Sequence, residues 1–215
     1  YYRQQLGAFE VTALNDGQIL LDTKILHNAS PKELNHQLNE HLRPNPVPTS
    51  VNGYLVNTGS KLILVDTGAA TLFGPGLGQL LGNLKAAGYA PEQVDDILIT
   101  HFHGDHVGGL TTADGKAVFP NATVHAAKSE ADFWLSPEQT EKAPEAMKGF
   151  FKMAQSSLKP YVEANRLKTF SGDVELAPGV KAVATISHTP GHTSYLFESQ
   201  GHSLLVIGDL IHFST

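Results

Sequence analysis

Residues 96–106 constrain this chain more than any other stretch. The mostly apolar run Asp96-Ile97-Leu98-Ile99-Thr100 passes without a break into His101-Phe102-His103-Gly104-Asp105-His106. A short apolar run of this kind reads as a buried strand. Alternation along it carries His101 and His103 to the same side as the chain leaves the sheet. The Gly104-Asp105-His106 turn can then swing a carboxylate and a third imidazole toward the same point. Three imidazoles packed this closely repel one another when protonated, whereas neutral rings gathered around a cation do not. A metal site is therefore expected where this strand ends.

Composition narrows the chemistry. The chain has no cysteine, so disulfides are excluded and any cation must be held by imidazole and carboxylate. The net charge of −6, without a Lys/Arg-rich run, argues against a nucleic-acid partner. No apolar run approaches the roughly 20 residues of a membrane span, so no membrane partner is expected. A length of 215 residues with 41% hydrophobic content suits one domain over 1–215. Gly74-Pro75-Gly76-Leu77-Gly78 lacks the lysine of a phosphate-cradling loop and reads as a connection into a helix.

Along the chain, Phe9 to Leu14 reads as a strand closed by an Asn15-Asp16-Gly17 turn. Ser30 and Pro31 begin a helix over 31–43. Arg43 to Pro48 carries three prolines and is expected to be a loop. A hairpin follows over 51–57 and 61–65, then a helix over 77–88, the strand 96–100 and another strand over 118–126. Residues 129–163 have helical periodicity broken near Pro137 and Pro144, and strands follow at 181–187, 194–199 and 203–208. This order predicts an α/β (α+β) molecule with mixed sheets flanked by helices, not a doubly wound parallel sheet.

Two later segments supply donors that the first cluster lacks. His188-Thr189-Pro190-Gly191-His192 follows a strand, and Gly208-Asp209 closes another. Each is weak alone, but together with the 101–106 cluster their order and placement at strand ends are specific. His-x-His-x-Asp-His, then Thr-Pro-Gly-His, then Gly-Asp resembles the metallo-β-lactamase superfamily over essentially the whole chain. That resemblance implies an αββα sandwich and two divalent ions, zinc first, with cobalt, manganese or cadmium as substitutes. It implies His101, His103 and His192 on one ion, Asp105 and His106 on the other, and Asp209 between them. Asp105 and Asp209 are also the candidate catalytic carboxylates, and Asp66 in Asp66-Thr67-Gly68 is implied to support the ligand imidazoles from behind. The family pattern has one more histidine well downstream of the bridging aspartate, so the natural protein is expected to continue beyond residue 215 and supply it.

Within the superfamily, Val51 to Lys61, Val65 to Ala70, Leu72 to Pro75, Glu130 to Ser136 and Lys148 to Lys152 resemble the methyl parathion hydrolase branch. The expected activity is therefore organophosphate triester hydrolysis by a hydroxide shared between two ions. Lactone hydrolysis is the alternative, since the same centre serves both. The resemblance implies an aromatic substrate pocket from Phe73, Trp134 and Phe150, with His212 at its mouth, and a small-molecule substrate. It also implies a homodimer and an exported bacterial enzyme, though lack of cysteine fits periplasm and cytoplasm equally. A β-lactamase is disfavoured because that branch generally lacks the carboxylate at Asp209, and a glutathione thioesterase because no basic recess is visible. A scaffold with a degenerate site is disfavoured because each ligand position within the chain is filled.

Overall fold

The computed structural model describes residues 1–26 and 29–212. Seven strands form one sheet in sequence order: β1 (Tyr2–Leu6), β2 (Phe9–Leu21), β3 (Val47–Asn57), β4 (Leu62–Val65), β5 (Asp96–Leu98), β6 (Thr123–Ala127) and β7 (Leu167–Phe170). The first four run antiparallel, and β4 through β7 run parallel. A second, antiparallel sheet holds β8 (Val174–Ala177), β9 (Val180–Ala184), β10 (Thr193–Ser199) and β11 (His202–Val206), ordered β11-β10-β9-β8. The helices are α1 (Pro31–Glu40), α2 (Leu80–Ala86), α3 (Gly104–Val107), α4 (Lys128–Trp134), α5 (Pro137–Lys142) and α6 (Glu145–Glu163). This is the layered α/β architecture expected from the order of elements.

The central strands are apolar on both faces because each face meets its own core. In β4, Leu62 and Leu64 join the helix-side core with Leu80, Leu84, Leu158 and Tyr161, while Ile63 and Val65 point between the sheets toward Tyr195 and Phe197. In β5, Ile97 faces the helices and Leu98 the second sheet. The long helix α6 buries Phe151, Ala154, Leu158 and Tyr161, a three-and-four spacing that lays one stripe on the sheet. Each of the large ones, such as Phe151 and Leu158, contributes about 1.5–3 kcal/mol on burial.

Several local expectations change in the folded chain. Asn15-Asp16-Gly17 is no turn; β2 continues through a bulge between Asn15 and Gly17. The buried Asp16 carboxylate accepts from the backbone N–H groups of Ala69, Gly78 and Leu80. Pro48 lies inside β3, opposite Leu20, at the end of the strand where β2 is its neighbour and β4 does not reach. The helix begun by Ser30 ends at Glu40, with a reciprocal Ser30–Glu33 cap. The helical stretch after residue 128 divides as expected at Pro137 and Pro144.

Candidate metal centre

Loops from both sheets converge beyond the ends of β4, β5, β9 and β11. The strand β5 releases the chain at Leu98; His101 and the extended His103 follow outside regular structure, and α3 carries Asp105 and His106. The loop between β9 and β10 brings His188, and the turn after β11 brings Asp209.

His101 Nε2 and His103 Nδ1 lie 3.0 Å apart, and His188 Nε2 lies 3.0 Å from the same His103 Nδ1. Three nitrogens this close cannot all carry protons. Burial holds His101 well below the usual imidazole range, and the neighbouring His106 and His103 rings add to the effect. Burial likewise brings His103 down to about 3 and His188 to about 4. Ligand nitrogens around a tetrahedral zinc ion, with bonds of about 2.0–2.1 Å, stand roughly 3.3 Å apart. The donor set therefore fits a divalent cation.

A second group lies beside it. His106 Nε2 is 3.1 Å from Asp209 Oδ1 and 3.6 Å from Asp105 Oδ2. The other oxygen of Asp209, Oδ2, lies 3.5 Å from His188 Nε2 and 3.9 Å from His101 Nε2. One carboxylate thus turns one oxygen to each group. Burial opposes charge on His106, but Asp66, Asp105 and Asp209 outweigh it and raise its proton affinity well above the ordinary value. Burial pushes Asp105 up. Burial also works against ionised Asp209, yet hydrogen bonds and charge from His106, together with His212 and His101, hold it far below the usual carboxylate range.

Asp66 lies behind the cluster, against Thr100 and His106. It sits at φ 57°, a left-handed conformation costly for a non-glycine residue. Its oxygens accept from Thr100 N at 2.9 Å and Thr100 Oγ1 at 2.8 Å, and meet His106 Nδ1 at 2.8 Å. Thr100 Oγ1 in turn lies 3.1 Å from His101 Nδ1. With the outer nitrogens of His101 and His106 donating along this chain, both Nε2 lone pairs face inward.

His192 is a correction. It was expected beside His101 and His103, but His188, four residues earlier, takes that place. Both nitrogens of the buried His192 are engaged: Nδ1 lies 2.9 Å from Thr185 Oγ1, and Nε2 accepts from the backbone N–H of Asp209 at 3.1 Å. Its lone pair is spent on the turn that holds Asp209. The sequence contained both histidines, and only the loop's path chooses between them.

The aromatic residues separate. Trp134 is a second correction: at 2% exposure it packs with Phe133 and Phe151 in the core, its ring edge-on to His103 at 5.3 Å, beyond reach of a substrate. Phe150 is half-buried with its ring 5.6 Å from His103. Phe73 is exposed; its Cε2 and Met153 Sδ both lie 2.9 Å from where a Cβ at Gly104 would stand, which puts an apolar rim beside α3. His212 Nε2 is 3.1 Å from Asp209 Oδ2 and lines a 570 Å³ cavity with Asp105, His106 and Asp209.

A family model described as metallo-beta-lactamase superfamily matches residues 46–214. The chain belongs to the metallo-beta-lactamase superfamily. Among solved structures of this superfamily, a hydrolase called AbOPH superposes with a TM-score of 0.91 at 41% identity, covering 99% of this chain and 74% of that one. AidC, described as a dizinc quorum-quenching lactonase in complex with a product, gives a TM-score of 0.89 at 30% identity over 98% of this chain and 74% of its own. An N-acyl homoserine lactonase from Bacillus thuringiensis is 29% identical over 175 residues, 72% of this chain and 61% of that protein. The chain thus spans less than two thirds of the curated lactonases it matches. The likeness runs toward lactonases rather than specifically toward the methyl parathion hydrolase branch. No described helix is long and apolar enough to cross a membrane.

Proposed function

We propose that this chain carries the centre of a two-cation hydrolase that opens lactone rings bearing an apolar acyl substituent, the N-acyl homoserine lactone class. The observation that carries the reading is the split of Asp209, with Oδ2 toward His101 and His188 and Oδ1 toward His106. His101, His103 and His188 would hold one divalent cation, His106 and Asp105 the other, and Asp209 both. When bound, such a pair supplies Lewis acidity at the attacked carbonyl and activates water at neutral pH.

The chain's own residues do the rest. Asp66 and Thr100 keep the His101 and His106 lone pairs inward. Asp105, whose carboxyl burial pushes up, is the carboxylate that would move a proton between the attacking water and the departing ring oxygen, while Asp209 stays ionised between the two groups. Phe73, with Leu72 and Met153 around Gly104, offers an apolar rim for an acyl chain, and Phe150 stands beside His103. The relatives named as lactonases favour this substrate over phosphotriesters.

The test loads the full protein with zinc, measures metal by elemental analysis, and compares N-hexanoyl- and N-decanoyl-homoserine lactone with a paraoxon-type triester. About two equivalents of metal and faster lactone opening support the reading. Absence of bound metal, or turnover of the triester alone, would overturn it.

A further inference from the structure

Glu130 is fully buried in the first turn of α4; it opens the Glu130–Ser136 stretch of the family resemblance, but neither that resemblance nor the chemistry above gives it a role. Its carboxylate is surrounded by donors. Oε1 accepts from the Phe102 backbone N–H at 2.8 Å; Oε2 accepts from Thr189 Oγ1 and from the Gly191 backbone N–H, each at 2.8 Å. Phe102 lies between His101 and His103, and Thr189 follows His188. One side chain thus grips both segments whose nitrogens meet at 3.0 Å.

The grip depends on close approach. A Cβ at Gly191 would stand 2.4 Å from Glu130 N and 2.7 Å from its Cβ, so only glycine lets the loop settle on α4. Other bonds tie the two sheets nearby: Thr193 N–H donates to the Thr100 carbonyl and the Tyr195 hydroxyl to that of Ile99. Both hold β10, beyond His192. The segment 188–191 itself is tied to 101–103 through Glu130.

We infer that Glu130 is a positioning residue that sets the His188 imidazole against His101 and His103 by clamping their two backbones to one carboxylate. The inference rests on the two-cation reading of the site. It requires an acceptor at both oxygens; an amide in its place turns an N–H₂ toward groups that are themselves donors.

Glu130→Gln and Thr189→Val, the latter deleting one of the three donors, are compared with the unmodified protein. Zinc is withdrawn by a competing chelator, the visible spectrum is recorded with cobalt bound, and the metal-free proteins are melted. The expected result for Glu130→Gln is retention weakened about 10- to 100-fold at one of two sites, the range seen for groups that orient metal ligands. The other site is unchanged and the cobalt bands shift. Thr189→Val moves the same way by less, and decides alone if the glutamine variant does not fold. If the unmodified protein binds two cations and both folded variants match it, the clamp is refuted while the two-cation reading stands. Equal weakening at both sites, tracking a lower melting temperature of the metal-free protein, refutes it as well. An unmodified protein that binds no cation refutes both.

Discussion

Replacing Gly208 with alanine tests whether the bridging carboxylate owes its place to the turn that carries it. Gly208 has φ 54°, and a Cβ there would stand 2.7 Å from His192 Nε2 and 2.9 Å from Thr100 Cβ. Neither neighbour can retreat easily. His192 is held at both ring nitrogens by Thr185 and the Asp209 backbone, and Thr100 is held twice by Asp66. The left-handed backbone alone costs a non-glycine residue about 1–2 kcal/mol. Crowding a packed site adds about 1–3 kcal/mol, for about 2–5 kcal/mol together. In a chain of this length each kcal/mol moves the melting temperature by about 2–4 °C, so Gly208→Ala should melt about 4–20 °C lower. Relief of the clash would push the turn, and Asp209 with it, away from His101 and His106. Zinc retention should fall with the melting temperature. Calorimetry of the metal-free protein and chelator competition on the loaded one give both numbers. A variant that melts within about 2 °C of the parent and keeps both cations as tightly would refute the reasoning.

Three further outcomes are expected. His188→Ala should bind one cation equivalent fewer by elemental analysis, whereas His192→Ala should keep both at lower melting temperature, losing about 2–4 kcal/mol for a buried, doubly bonded ring; equal stoichiometry in the two variants would reverse the assignment of His188. The two cation groups should differ in pH dependence. With His103 at about 3 and His188 at about 4, no proton leaves the first group on binding near neutrality, so its zinc affinity should be flat from pH 7 to about 5. His106, raised by its carboxylates, must give up a proton, so affinity at the second group should fall about tenfold for each pH unit lost below its raised value; parallel slopes in titration calorimetry would contradict this. His212→Ile, which removes the ring bonded to Asp209 at the cavity wall, should change the triester-to-lactone activity ratio, and identical kinetics on both substrates would remove His212 from the pocket.

The strand-to-cluster junction at 96–106 was legible because a buried strand must end somewhere, and this one ends in ligand-type side chains within six residues. Asp209 was legible in part for the same reason, closing an apolar strand, whereas a role for Asp66 came only from the family resemblance. Where local periodicity meets a polar turn, the sequence alone determines that donors stand at the rim of a sheet. What it could not decide is which donors meet. His188 and His192 sit four residues apart in one loop, and their difference is set by Gly191 pressing on Glu130 and by the Asp209 N–H claiming His192. Trp134 was implied as a pocket wall by the family resemblance, and helical spacing does not say which neighbour covers a side chain; Phe133 and Phe151 cover it. No motif gave Asp16 or Glu130 a role, since a buried carboxylate is recognised by the backbone donors around it, and those come from residues 53 to 64 and 28 to 61 positions away. The sequence determined the chemistry of the donors; packing between distant segments decided which lone pairs face one another, because direction belongs to tertiary contacts and not to residue type.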